Sequence, residues 1–416
     1  MASAYLSRTT GTPSSDDIGT FSFWLKRSAI DVNNEYIIQN YVDGSNYGYI
    51  RFKSDNQFQH YSSGGGDWER RTNRLFRDTN AWYHIVLRID TTQSTASDRV
   101  RLYVNGVQET SFSTETNASQ NGNNKLFASG GTLRIGYVSS GTATYFDGQL
   151  AHFHYADGQS YAPTVFGETD ATTGIWKPKT SPTVTYGNQG FFLKFDNSAN
   201  MGLDSSGNSN NFTTNGTIIQ VPDTPSNIFA TINRLDNYYF GGTFANLNNT
   251  VTGSSSSYTY CTSTLGISKG KYYIEAKLSA DDSNAARIGV VGRPSTATNN
   301  GIGDRQDEVM YQRNGNLKIN GTATSSWGST WTVNDIIGIA LDLDNNKVYF
   351  SKNGTFQASG NPSTGSNGQT ITAASSTSDG FYRFGFSDND SGGTATFQYN
   401  FGSGFFGTTA VASANA

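Results

Sequence analysis

The same structural phrase is written twice in this 416-residue chain. The first copy runs Ile85-Val86-Leu87-Arg88-Ile89-Asp90, a loop, then Arg99-Val100-Arg101-Leu102-Tyr103-Val104-Asn105-Gly106. The second runs Ile337-Gly338-Ile339-Ala340-Leu341-Asp342-Leu343-Asp344, then Lys347-Val348-Tyr349-Phe350-Ser351-Lys352-Asn353-Gly354. Each copy predicts a buried strand, a turn, a half-buried alternating strand and an Asn-Gly hairpin. In the alternating strand of the first copy, Val100, Leu102 and Val104 face one side while Arg99, Arg101 and Tyr103 face the other. The chain is long enough to bury two cores. One phrase used twice therefore predicts two all-β domains of related architecture in tandem.

Composition narrows the function classes. Charged residues make up only 15% and Gly 46 positions, a mixture that suits short strands and turns rather than helices. Aromatic residues at 13% exclude a disordered chain. A net charge of −4 argues against general nucleic-acid binding. Cys261 is the single cysteine, so no intrachain disulfide or thiolate metal site can form. Met1 to Thr10 lack the basic and apolar regions of a secretory signal. No run approaches the ~20 apolar residues of a membrane helix. The expectation is a protein without membrane insertion, made in a cytoplasm.

Along the chain, strands are predicted at Thr20–Leu25, Glu35–Gln39, Tyr47–Phe52, Trp82–Ile89, Arg99–Val104, Thr132–Tyr137 and Gly148–Tyr155, defining a first domain over 1–165. Residues 166–237, with Pro163 just before them, hold Pro178, Pro182, Pro222 and Pro225 and predict an ordered connector. Within it, Gly190 to Phe195 reads as a strand and Asp204-Ser205-Ser206-Gly207-Asn208 as a turn. A second domain is predicted over 238–407, with strands at Tyr272–Leu278, Ala286–Gly292, Glu308–Gln312, Ile336–Leu343, Lys347–Ser351, Tyr382–Ser387 and Thr394–Asn400. Residues 408–416 are small and polar enough for a loose tail.

The first domain resembles the laminin-G-like, concanavalin-A-like sandwich family, in the version common in tailed-phage virion proteins. The residues that carry this are Phe21-Ser22-Phe23-Trp24-Leu25-Lys26-Arg27, Phe76-Arg77-Asp78 through Trp82-Tyr83-His84, Arg101-Leu102-Tyr103-Val104-Asn105-Gly106, Asp147-Gly148-Gln149-Leu150-Ala151, Asp157-Gly158-Gln159 and Gly174-Ile175-Trp176-Lys177-Pro178. The second domain resembles a SPRY domain through Gly270-Lys271-Tyr272-Tyr273-Ile274-Glu275, Asp335-Ile336-Ile337-Gly338, Tyr349 to Gly354 and Asn400-Phe401-Gly402. These resemblances imply two antiparallel jelly-roll β-sandwiches that act as binding devices for glycans or protein segments. They also place Trp24, Trp82 and Trp331 in the cores.

Catalytic chemistry needs a constellation that this chain does not spell. Relatives of this fold that cleave β-glucans align acidic residues on alternate positions of one strand. The seven glutamates (Glu35, Glu69, Glu109, Glu115, Glu168, Glu275, Glu308) form no such row, and the alternating Asp342 and Asp344 read as strand-end and turn residues. No catalytic residue is expected. His152 and His154 lie two apart on a strand, where they share a face and pair on a metal or simply meet solvent or a neighbour. Acidic loops at Asp281-Asp282, Asp304 to Asp307 and Asp388 to Asp390 supply oxygens of the kind Ca²⁺ takes, without EF-hand spacing. Otherwise no cofactor is implied.

The one basic, aromatic-bearing island is Trp68-Glu69-Arg70-Arg71-Thr72-Asn73-Arg74-Leu75-Phe76-Arg77. Arginine forks suit anionic groups and Trp68 suits a sugar face, so Trp68, Arg70, Arg71 and Arg74 are candidates for a glycan site or a protein interface. Trp327, in a Gly/Ser loop, joins them as a stacking candidate. The expected function is a bacteriophage virion surface protein, in a fibre or as a head or tail decoration, that binds host surface glycans. Its expected partners are other virion proteins, host polysaccharide and copies of itself, a trimer in a fibre setting. The alternatives are a purely structural virion component and a polysaccharide-degrading enzyme.

Overall fold

A computed structural model describes residues 4–64, 67–138, 144–239, 241–254, 258–281, 285–295, 300–388, 394–402 and 406. The tail at 408–416 lies outside them, as do Asp282, Asn389 and Asp390 of the acidic loops. Among the described residues there is no α-helix, and the chain divides into two units, Met1–Ile228 and Phe229–Ala416.

The first unit packs an eight-stranded against a six-stranded antiparallel sheet. The larger runs in the order Phe112–Thr116, Trp68–Leu75, Gln57–Ser62, Asn46–Phe52, Glu35–Asp43, Thr132–Ile135, Tyr5–Thr9, Thr213–Asn215. The smaller runs Phe191–Leu193, Gly148–Asp157, Ile18–Arg27, Tyr83–Asp90, Val100–Val104, Val107–Gln108. Phe21, Phe23, Ile50, Phe52, Phe58, Trp68, Leu87 and Phe153 fill the space between them. The second unit repeats the plan with a seven-stranded sheet and a sheet centred on Lys271–Ala280, Ile336–Asp342 and Lys347–Lys352. Its core includes Ile274, Ile288, Trp331, Ile339, Phe350 and Phe397.

The repeated phrase is repeated in three dimensions. Asn105 and Gly106 take φ of 49° and 81°, and Asn353 and Gly354 take 48° and 82°. These left-handed pairs are what a type I′ hairpin requires. Each asparagine also holds the strand before it. The Asn105 side chain accepts from the His84 N–H at 2.8 Å, and Asn353 accepts from the Ile336 N–H at 2.8 Å. Asn353→Ala and Asn105→Ala each remove that bond and put a residue less suited to the left-handed region there. Each is expected to cost about 2 kcal/mol, read from urea unfolding.

The segment from Pro163 to Ile228 falls within the first unit, and several of its aromatic residues are buried there. Phe191 and Phe212 enter that unit's core. Trp176 lies flat on the hairpin, where a Cβ at Gly106 would stand 2.9 Å from its ring. Its indole N–H donates to His84 Nδ1 at 2.9 Å. Asp204 organises the expected turn by accepting from the N–H groups of Phe192, Ser206 and Asn210.

Candidate functional site

The arginine island is itself a strand, and its alternation sorts the candidates. Trp68, Arg70 and Thr72 point into the sandwich, while Glu69 and Arg71 point out. Trp68, at 2% exposure, belongs to the core, so its indole has no open face for a sugar. Arg70 is equally buried and rivets the edge strand, donating to Thr116 O at 3.0 Å and Asn117 Oδ1 at 2.6 Å. Both residues leave the candidate set for this physical reason. Trp68→Phe is expected to cost about 1–3 kcal/mol in stability and to leave ligand retention unchanged, measured by thermal melts beside a binding assay. Arg74 lies in the irregular stretch between the paired Arg71 and Leu75 and binds Glu109 Oε2 at 2.7 Å. Trp327, in the other unit, packs edge-on against Tyr311 and Phe350, at centroid separations of 5.5 and 6.1 Å, closing that core as a partly buried lid.

Arg71 alone is carried to a constructed surface. Strand register places it beside Gln59, Gln59 opposite Arg51, and Arg51 opposite Tyr36. The neighbouring row sets Glu69, Tyr61, Tyr49 and Gln39 side by side, and Tyr47 pairs with Tyr41. Five tyrosines thereby collect on the outer face of the large sheet. Tyr49 and Tyr61 stack at 5.1 Å, Tyr47 and Tyr61 at 5.7 Å, and Tyr36 meets Tyr49 edge-on at 5.2 Å. Tyr41 and Tyr47 follow at 6.4 Å.

A polar chain crosses this aromatic platform. Arg51 donates to Tyr36 Oη at 2.7 Å and to Gln59 Oε1 at 2.6 Å, and Gln59 donates to Glu69 Oε1 at 2.6 Å. The guanidinium also sits 4.6 Å from the Tyr49 ring centre, a cation–π contact that fixes both groups. Burial holds the Tyr49 and Tyr61 hydroxyls above the usual phenol range, so the face presents neutral rings. Arg71 forms an ion pair with Asp55 at the rim. Rigid rings beside a line of amide, guanidinium and carboxylate groups match a pyranoside, which offers C–H faces and hydroxyls together.

His152 and His154, expected to share a strand face, are arranged otherwise. A bulge between Ala151 and His154 breaks the alternation, with His152 at a φ of 47°. His154 stacks on Phe192 at 3.8 Å and bonds Tyr186 Oη through Nδ1 at 2.8 Å, so the imidazole is held inside the protein. Among the described residues, no three acidic, histidine or cysteine side chains converge as a metal set. Asp304 of the acidic loops is already neutralised by Arg287 and Lys318. Cys261 is buried, which pushes its thiol well above the ordinary range.

The comparisons with known proteins agree with this architecture. Residues 2–159 match the concanavalin A-like lectin/glucanases superfamily. Residues 271–377 match the SPRY domain. The chain thus carries one domain of each kind, in the order read from its sequence. Among curated proteins, an ATP-dependent RNA helicase, DDX1 of Xenopus laevis, is 35% identical over 94 residues, 23% of this chain and 12% of the helicase. The chain therefore spans about an eighth of that relative. Among solved structures, the SPRY domain of human HERC1 is 17% identical with a TM-score of 0.31, covering 41% of this chain and 98% of that one. Domain 4 of an extracellular arabinanase from Geobacillus stearothermophilus, in complex with arabinotriose, is 16% identical with a TM-score of 0.28, covering 38% and 69%.

Proposed function

We propose that this protein is a glycan-binding, non-hydrolytic surface component of a tailed-phage virion, and that the tyrosine face of its first unit is the sugar-binding surface. The observation that carries the glycan reading is the Tyr36–Arg51–Gln59–Glu69 chain laid across stacked Tyr47, Tyr49 and Tyr61 on a lectin-type sandwich. The virion setting is supported by the tandem of the two domains and the phage-like motifs around Trp24, Asp147 and Trp176. Weak single sites gain avidity when many copies are displayed.

The test incubates the purified chain with intact host cells and with extracted surface polysaccharide, assaying reducing ends in parallel. Retention without sugar release is the expected result. Release of reducing ends identifies an enzyme instead, and absence of retention leaves a structural virion protein, to be located on labelled particles. Arg71→Ala, which removes a rim cation without touching the core, is expected to weaken retention by about threefold to tenfold with no change in melting temperature.

A further inference from the structure

The second unit carries a groove of about 590 Å³ that the functional reading above leaves unused. Its floor is the outer side of the central sheet, where Tyr273, Ala340 and Tyr349 lie in register across three strands. The small Ala340 between two tyrosines makes the depression. Its roof is the segment that follows the Asn353-Gly354 hairpin, with Phe356 and Pro362 on the lining. At the mouth stands Lys271, while Tyr272 falls on the opposite face of the sheet with Leu341 and Val348.

Three features distinguish this groove from an ordinary surface dent. Tyr349 lines it, and its hydroxyl is buried without a hydrogen-bond partner, a cost that a ligand hydroxyl would relieve. The roof holds two consecutive non-glycine residues in the left-handed region, Ala358 at a φ of 48° and Ser359 at 56°. Such strain collects where a loop is shaped for a ligand. The mouth is also neutral in sum. Asp342 already accepts from the Asp344 and Asn345 N–H groups and from the Asn345 side chain, and Lys271 Nζ sits 3.2 Å from its carboxylate.

We infer that this groove is a second saccharide site, taking a neutral pyranoside stacked on Phe356. The Phe356 ring receives the C–H face of the sugar, and Lys271, Asn361 and the Tyr349 side chain meet its hydroxyl groups. The absence of net charge at the mouth selects against polyanions. This inference rests on the glycan-binding reading of the chain and adds a second contact to it, so that one molecule grips a polysaccharide at two places.

The test is hydrogen exchange on the full chain with millimolar maltohexaose, cellohexaose, xylohexaose or chitohexaose as probes. Slowed exchange at 271–273 and 354–363 with one of these is expected. Phe356→Ala is expected to raise the sugar concentration needed by about tenfold, while Phe356→Tyr keeps it. Because Phe356 is only half-buried and lies outside the core cluster, neither change threatens folding. Slowing confined to 36–61 overturns the second site and leaves the first. Slowing confined to the groove keeps the second site and removes the first. No slowing by any probe overturns both. Slowing by a proline- and tyrosine-containing peptide but by no sugar assigns the groove to protein docking and overturns the inference.

Discussion

Lowering the pH from 7 to 5 is expected to destabilise the first unit strongly while leaving the second nearly untouched. All four histidines, His60, His84, His152 and His154, belong to the first unit. Burial pushes His60 and His84 down to about 3 and His154 well below its ordinary value. His84 shows the structural reason. Its Nδ1 accepts from the Trp176 indole at 2.9 Å, so Nε2 carries the proton and faces Ser22 Oγ at 2.9 Å, stacked under Trp24 at 4.6 Å. A second proton has nowhere to go without breaking the Trp176 contact.

In the unfolded chain the same imidazoles bind protons below a pH of about 6.5. Between that value and the folded ones, unfolding takes up protons, so stability falls as pH falls. His60 and His84 each remove about 2 kcal/mol at pH 5, about 4 kcal/mol together, and His154 acts in the same direction, so the loss is a large part of a domain's ordinary stability. Calorimetry at the two pH values checks this. One transition should drop steeply and the other stay, whereas two transitions moving in parallel contradict the assignment.

Arg27→Met is expected to cost the first unit about 3–5 kcal/mol. Arg27 is completely buried in the core, 4.4 Å over the Phe52 ring. It donates to Glu35 Oε2 at 3.0 Å, to Asn56 Oδ1 at 3.0 Å and to Phe76 O at 2.7 Å. Glu35 is as deeply buried, and desolvation already raises its carboxyl above the ordinary range despite the guanidinium beside it. Without Arg27 the carboxylate loses its counter-charge, and Asn56 and the Phe76 carbonyl lose a donor. Arg27→Lys is expected to recover little, since an ammonium cannot serve three acceptors spread around a planar fork. Arg27→Met with Glu35→Leu should recover most of the loss, because both charges then leave the interior together. Urea unfolding of the four proteins decides it, and a double variant no more stable than Arg27→Met contradicts the account.

What could be read from the sequence depended on how locally each feature is specified. The Asn-Gly hairpins were legible because a type I′ turn imposes its chemistry on two adjacent residues. Trp24, Trp82 and Trp331 were legible as core through the family motifs around them, and all three are buried. The strand Trp68–Leu75 was hidden because Glu69, Arg70 and Arg71 break the apolar alternation, although the inward Arg70 is stacked near Phe112 and capped by carbonyls. The tyrosine face gave one local signal, the spacing of Tyr47 and Tyr49. Its other members, Tyr36, Arg51, Gln59 and Tyr61, come together only through the pairing of three hairpin-linked strands. The bulge that separates His152 from His154 has no sequence mark, since it follows from packing both rings around Phe192.

The most direct test of the glycan-binding account is affinity electrophoresis through gels containing host surface polysaccharide, comparing the unmodified chain with a Tyr47→Ala, Tyr61→Ala double variant. Both rings are half-buried on the outer face and away from the core, so the variant should melt as the parent does. Retardation of the parent that falls by about tenfold or more in the variant is the predicted result. Equal retardation of the two proteins, or none in either, contradicts the assignment of that face.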